Sequence, residues 1–149
     1  MSLSDHFSLT ELTKSQTAQR LGIDNTPDDV AIGNLASMCD SILEPIRAHY
    51  GVPFSPSSAF RCKELNQAIG GSLRSAHCLG LAVDIQFPGV SNPDLARWVQ
   101  ANLVYDQVIL ECWTVPGSGW VHIGDNIDDP RGQVLTYTRG KGYMNGLPA

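Results

Sequence analysis

The hydrophobic pattern of the first half of the chain is that of amphipathic helices. A long helix is predicted from Thr26-Pro27-Asp28-Asp29 to about Tyr50, because apolar residues recur there at three- and four-residue steps. Pro45 lies inside this pattern and is expected to kink the helix, since proline has no amide proton to donate. The apolar positions are Ile32, Leu35, Cys39, Ile42 and Ile46.

Shorter patterns predict the other helices and the strands. Ser8 with Glu11 three residues later predicts a capped helix that ends at Gly22, in an N-terminal helical arm of residues 1–25. In the second half, apolar runs bounded by turn residues predict β-strands. Further helices are expected over residues 63–69 and from Asn92, and strands over residues 81–87, 106–111, 119–123 and 133–138.

The segregation of helices and strands favours an α+β fold, with a small antiparallel β-sheet and helices packed on one side. The 149 residues are 42% hydrophobic and 17% charged, which fits a single domain over residues 1–149. No signal peptide and no run of about 18 apolar residues is present, so synthesis in the cytoplasm and no membrane partner are expected. A net charge of -5 argues against a nucleic-acid partner.

Polar residues interrupt the apolar pattern at three places. Asp84 lies in the apolar end of S-A-H-C-L-G-L-A-V-D-I, where an unpaired buried carboxylate would cost several kcal/mol. His77 precedes it by seven residues, and a bend at Gly80 would let both side chains face one point. Together with His122, they form a common ligand set for catalytic zinc, although a histidine in an apolar strand is more often a satisfied structural residue.

The same segments resemble a known family. S-A-H-C-L-G-L-A-V-D-I matches the S-x-H-x-x-G-x-A-x-D pattern of zinc peptidases related to D-Ala-D-Ala carboxypeptidases, phage endolysins and the hedgehog signalling domain. G-W-V-H-I resembles their second histidine motif, and S-A-F-R-C-K-E-L-N-Q-A-I-G-G resembles their S-G-Y-R-S-x-x-x-N segment. V-L-T-Y-T-R-G is similar to the tail of phage-encoded members, so the likeness covers a core of residues 43–139.

The resemblance implies roles for five residues. His77, Asp84 and His122 would bind Zn²⁺, and the cation would offset the burial of Asp84. Arg61 would contact the substrate, because its rigid fork suits a peptide carboxylate or carbonyl; the alternative is a surface salt bridge. Ser75 is assigned to substrate binding together with Arg61. Its hydroxyl would form a hydrogen bond that holds a zinc ligand or the neighbouring loop. The alternative is an ordinary turn hydroxyl.

The general base has to come from a position that differs from the family pattern. Many relatives carry a glutamate three residues before the last histidine, where this chain has Gly119. Glu111 is predicted to be the base, since the strands on either side of W-T-V-P-G-S look like the arms of one hairpin. A register that pairs Glu111 with Trp120 would place the carboxylate diagonal to His122. The alternative is an exposed glutamate at a strand end.

Two cysteines are also unusual for the family pattern. Cys62 replaces the frequent serine after the arginine, and Cys78 adjoins His77. A thiol near the metal is therefore expected to bind it adventitiously or to make the site sensitive to oxidation.

The function implied by the resemblance is that of a zinc-dependent peptidase of phage-like origin, which hydrolyses peptidoglycan stem peptides or cross-links as a D,D-carboxypeptidase or endopeptidase. Its partner would be a peptidoglycan peptide, it is expected to be a monomer, and it would act on the cell wall after delivery by a separate route. The alternatives are a non-catalytic zinc-bearing binding module and a phage structural component with the same fold.

Overall fold

The computed structural model describes residues 1–115 and 118–148. Within the predicted turn of residues 113–118, Pro116 and Gly117 lie outside the described residues, as does Ala149. The chain clusters into two compact units, Met1–Val83 and Asp84–Ala149. The assignment of residues 1–149 to one domain stays a prediction.

The first unit is built from helices and turns. A π-helical turn lies between two of its α-helices, and a 3-10 turn lies near its end. No helix of the described residues is both long enough and apolar enough to cross a membrane. The elements are α1 (Leu9–Thr13), α2 (Gln16–Leu21), α3 (Asp29–Met38), the π turn (Cys39–Leu43), α4 (Glu44–Tyr50), α5 (Lys63–Ala68) and the 3-10 turn (Ala76–Leu79).

The N-terminal arm contains two short helices, so the prediction of one continuous helix is wrong. The predicted cap is confirmed: the Ser8 hydroxyl accepts from the Glu11 amide, and the Glu11 carboxylate accepts from the Ser8 amide. Lys14 is extended, and the Ser15 hydroxyl then accepts a hydrogen bond from the Ala18 amide at 3.1 Å. A second N-cap therefore divides the segment, because serine competes well for the amides that begin a helix.

The long helical stretch of the first unit begins and changes geometry at sequence-specific points. The Asp28 carboxylate caps α3 by accepting from the Ala31 amide at 2.8 Å. The disturbance expected at Pro45 takes the form of a π turn just before it, in which the Glu44 amide donates to the Cys39 carbonyl. Proline supplies no amide for the regular α-helical bond, so the wider turn accommodates it. Leu35, Cys39, Ile42 and Ile46 are fully buried.

The second unit contains most of a five-stranded sheet, whose strand β1 spans the division between the units. The strand order is β1-β3-β2-β4-β5, and together with the helices this confirms the α+β class. The last strand was not predicted, because its four residues lie among glycines that suggest a loop. The elements are β1 (Ala82–Ile85), α6 (Asn92–Asn102), β2 (Gln107–Glu111), β3 (Trp120–Gly124), β4 (Gln133–Thr138) and β5 (Gly142–Asn145).

The sheet is mixed, and the prediction of an antiparallel sheet is wrong in this respect. β2 is antiparallel to β3 and parallel to β4. β3 ends with Gly124 beside Gln107, and residues 125–132 then cross the beginning of β2 to place Gln133 on its other side. Because β4 starts at the same end of the sheet as β2, the two strands run in the same direction.

An ion pair anchors this crossing. The Arg131 guanidinium donates to both carboxylate oxygens of Asp106, with an Nη2–Oδ2 distance of 2.9 Å, and the Arg131 amide donates to Oδ1 at 3.0 Å. These hydrogen bonds hold the pKa of Asp106 below its usual range. The ionised carboxylate therefore fixes the segment that carries the chain from β3 to β4.

The sheet of the second unit has an apolar face and a polar face. α6 begins at the N-cap Ser91, whose hydroxyl accepts from the Asp94 amide, and the helix packs against β2 and β3. Since side chains alternate along a strand, Glu111 and His122 lie on the polar face, opposite the fully buried residues, although buried Ile109 shares that face. The fully buried residues of these two strands are Val108, Leu110, Val121 and Ile123.

Candidate metal centre

His77 is held in the first unit by local hydrogen bonds. It lies in the 3-10 turn, where the Ser75 hydroxyl accepts from its backbone amide at 3.3 Å. The residue is 2% exposed, and its Nδ1 lies 2.6 Å from the carbonyl oxygen of Ala59. A carbonyl can only accept, so Nδ1 carries the proton and Nε2 is the candidate ligand atom. This contact to a backbone carbonyl is typical of metal-bound histidines.

The bend predicted at Gly80 is present. Gly80 ends the 3-10 turn with φ at +73°, a left-handed conformation that favours glycine. A Cβ atom at this position would lie 2.6 Å from the backbone oxygen of Ala31. Glycine is thus required both for the direction of the chain before β1 and for its close approach to α3.

Asp84 and His122 are neighbours on the polar face of the sheet in the second unit. His122 Nδ1 lies 3.0 Å from Asp84 Oδ1, and both side chains are about 15% exposed. With a proton on Nδ1, this contact is a hydrogen bond. With Nδ1 deprotonated, both atoms can bind one cation, because metal ligation needs the lone pairs of both groups.

The three predicted ligands fit a metal ion. His77, Asp84 and His122 each offer one ligand atom, and these atoms all lie within 4.8 Å of one another. The donor set consists of two imidazoles and one carboxylate, a set that would suit a catalytic zinc ion. The three residues therefore form a possible metal site.

The hairpin that carries His122 has the predicted register. Glu111 pairs with Trp120, and Ile109 pairs with His122. The Trp120 indole Nε1–H donates to Glu111 Oε2 at 2.5 Å, which holds the carboxylate on the same face of the sheet as His122. The register places Glu111 diagonal to a candidate ligand.

Comparison with known proteins identifies the family. A model of the peptidase M15 family matches residues 5–124, which is most of the chain. The chain belongs to the peptidase M15 family. This membership confirms the resemblance inferred from the motifs and makes the protein a metallopeptidase of the zinc D-Ala-D-Ala carboxypeptidase-like superfamily. None of the curated proteins compared with the chain matches it.

The structure explains why this M15 chain has glycine three residues before the last histidine. Gly119 has φ at +77°, and a Cβ atom there would lie 2.1 Å from the backbone oxygen of Glu111. Any side chain, including that of glutamate, would collide with the main chain of β2. This hairpin therefore cannot carry a base at position 119, whereas the carboxylate of Glu111 lies on the neighbouring strand.

Hydrogen bonds connect Arg61 and Ser75 to the backbone of His77 in the first unit. The Arg61 amide donates to the His77 carbonyl at 3.2 Å, so the arginine is attached to the turn that carries a candidate ligand. Arg61 lines a cavity together with Lys14, and none of the described residues that line this cavity is acidic. Ser75 orders the 3-10 turn through the His77 amide, and its contact with substrate stays a prediction.

The surroundings of Cys62 and Cys78 differ from those of metal-binding cysteines. Cys62 caps α5, because its sulfur accepts from the Leu65 amide at 3.4 Å. Burial raises the pKa of the Cys78 thiol, which disfavours the thiolate that binds metals. Among residues 1–115 and 118–148, neither thiol belongs to the cluster of candidate ligands. The oxidation sensitivity of the site stays a prediction.

Two supporting groups of the site were not predicted. The Ala59 carbonyl that orients His77 is a backbone atom eighteen residues away, and no sequence pattern identifies such a contact. The predicted register paired Trp120 with Glu111. The hydrogen bond from the indole to the carboxylate was not predicted, because it depends on the conformations of the two side chains. A tryptophan opposite a glutamate on a predicted hairpin is the signal that could have indicated it.

Proposed function

We propose that the protein is a zinc-dependent peptidase that hydrolyses peptide bonds in peptidoglycan stem peptides or cross-links, with a D-amino acid at the cleaved bond. The observation that carries the proposal is the M15 match over residues 5–124, because this range contains the two-histidine, one-carboxylate cluster and Glu111. We assign His77, Asp84 and His122 as the zinc ligands. Delivery to the cell wall by a separate route and a phage-like origin belong to the same proposal.

In this proposal each part of the site has a distinct role. Bound zinc supplies the Lewis acidity that polarises the scissile carbonyl and lowers the pKa of water. Glu111 accepts a proton from the attacking water and transfers it to the leaving amine. The indole of Trp120 keeps the Glu111 carboxylate in place, and the Ala59 carbonyl keeps the ring of His77 in one orientation. Arg61 binds a carboxylate or carbonyl of the peptide.

A non-catalytic zinc-bearing module is the second candidate, together with a structural role in a phage particle. The binding module would need the zinc ligands, and the structural component would need not even these. Neither role requires a general base. The presence of Glu111 diagonal to His122, held by a tryptophan, therefore favours the enzyme.

Mass spectrometry of purified peptidoglycan fragments tests the proposed function. Incubation with the zinc-loaded protein should release fragments whose masses show hydrolysis of one kind of peptide bond. Release of a single terminal D-amino acid would identify a carboxypeptidase, and separation of two stem peptides would identify an endopeptidase. Protein treated with a chelator is the matched control and should leave the fragments intact. Unchanged fragments with the zinc-loaded protein would contradict the proposal.

Replacement of Arg61 should weaken substrate binding without affecting the metal. In Arg61→Ala, we expect kcat/KM on a cleavable muropeptide to fall by about tenfold or more, since a charge-assisted hydrogen bond to substrate contributes about 1.5–3 kcal/mol. Zinc content should equal that of the parent. Arg20→Ala removes an exposed arginine of α2 and serves as the control. Parental kinetics in Arg61→Ala would show that the arginine has no role in substrate binding.

A further inference from the structure

A row of side chains crosses the polar face of the sheet in the second unit. The strand registers pair Trp120 of β3 with Glu111 of β2, Glu111 with Tyr137 of β4, and Tyr137 with Tyr143 of β5. Directly paired residues project to the same face of a sheet, so these four side chains form one continuous row. We call it the aromatic row. Asp84 and His122 lie on the side of Glu111 that carries β1 and β3, and the tyrosines lie on the other side.

Side-chain contacts join the members of the row in two pairs, and the register of β2 with β4 places the two pairs side by side. The Trp120 indole donates to Glu111, and the rings of Tyr137 and Tyr143 lie 4.8 Å apart between centroids at an angle of 52°. Burial, and after it the negative charge of Glu111, raise the pKa of the Tyr143 phenol, so the phenol, which is neutral at physiological pH even at its ordinary pKa, adds no charge to the row. Tyr143 nevertheless leaves 60% of its surface exposed. The outer end of the row is thus an accessible aromatic ring on a rigid strand.

The tyrosines belong to the part of the chain that follows the family match. The match ends at residue 124, whereas β4 and β5 begin at Gln133 and Gly142. The matched residues therefore contain Glu111 and the candidate ligands, and β4 and β5, which follow the match, extend the sheet beside Glu111. A feature that lies next to the proposed base but after the matched residues is suited to substrate selection rather than to the chemistry of the cleavage step.

We propose that Tyr143, supported by Tyr137, is a substrate-positioning residue that binds the peptide about three residues from the cleaved bond. This inference rests on the proposed function. Glu111 lies on β2 and, as the proposed base, acts at the cleaved bond. Neighbouring strands lie about 4.8 Å apart, so β5 lies about 10 Å from β2, and an extended peptide covers that distance with about three residues. The only charged side chain of the row is that of Glu111, so the tyrosines offer an uncharged surface. Aliphatic parts of a peptide side chain or backbone pack on such rings.

The test compares substrates of two lengths with three variants. On a stem pentapeptide without sugar, Tyr143→Ala should raise KM about three- to tenfold, the range expected for loss of one aromatic contact, and change kcat by less than about twofold. On a terminal D-Ala-D-Ala dipeptide derivative, which is too short to reach β5, the same variant should match the parent. Tyr143→Phe should retain parental KM. Met144→Ala removes the neighbouring side chain of β5, which is also 60% exposed, and should have no effect.

Direct binding gives a second measurement that does not depend on turnover. In calorimetry, the pentapeptide should bind Glu111→Gln about three- to tenfold more tightly than it binds the Glu111→Gln, Tyr143→Ala double variant. An unchanged KM and affinity in Tyr143→Ala would overturn the inference. So would an equal loss in Met144→Ala, which indicates a disturbed edge strand, or a loss seen only with sugar-bearing muropeptides, which indicates a glycan site. Absence of any cleavage by the parent would instead contradict the proposed function.

Discussion

Glu111→Gln should retain zinc and lose nearly all hydrolysis. We expect kcat on peptidoglycan peptides to fall about a hundredfold or more, because general acid–base catalysis by a positioned side chain contributes about 10²–10⁴-fold. Glutamine has almost the same shape as glutamate, and its amide oxygen can still accept the hydrogen bond from Trp120. The change therefore removes the proton acceptor while the hairpin is preserved. Steady-state kinetics together with metal analysis measures the effect.

Glu64→Gln is the matched control for this result. Glu64 is an exposed residue of α5 in the first unit, and its replacement also removes one negative charge from the protein. It should retain parental activity. If Glu111→Gln cleaves at the parental rate with full zinc content, the base lies elsewhere and the assignment of Glu111 is wrong. If it loses its zinc as well, its role is to support the metal site.

His77→Ala should lose both the metal and the activity. The parent is expected to hold about one zinc ion per chain, and removal of one of three protein ligands should leave the variant nearly metal-free after dialysis. The change also leaves the Ala59 carbonyl without its 2.6 Å donor in a buried position, which costs about 1–3 kcal/mol of folding free energy. Metal analysis and thermal unfolding are the two measurements.

Thermal unfolding with and without chelator separates loss of metal from simple destabilisation. A ligand at a hundred times its Kd stabilises the folded state by about 2.7 kcal/mol, so the chelator should lower the melting temperature of the parent. The melting temperature of His77→Ala should not respond. His49→Ala replaces an exposed histidine of α4 and should behave as the parent. Full zinc content in His77→Ala would show that His77 is not a ligand.

The parts of the fold that depend on neighbouring residues were predicted from the sequence. The Ser8–Glu11 capping box is an example, because a cap is formed within four residues. The hairpin register was also predicted, since alternation leaves few ways to pair two short strands around one turn, and Glu111 lies opposite Trp120. The division of the N-terminal arm at Ser15 was missed, because a serine inside a helical pattern is compatible with either outcome.

The residue types of the candidate metal site were likewise determined by the sequence, whereas the arrangement of these residues in space was decided by the tertiary structure. A carboxylate in an apolar strand requires a partner, which is why Asp84 indicated a metal site. The orientation of His77 by a carbonyl, the crossing of residues 125–132 and the resulting aromatic row all depend on segments distant in the chain. Local periodicity determines which face a side chain occupies. It does not determine which side of β2 receives β4, because that choice depends on how the connecting segment crosses the sheet and on the Arg131–Asp106 pair that holds it.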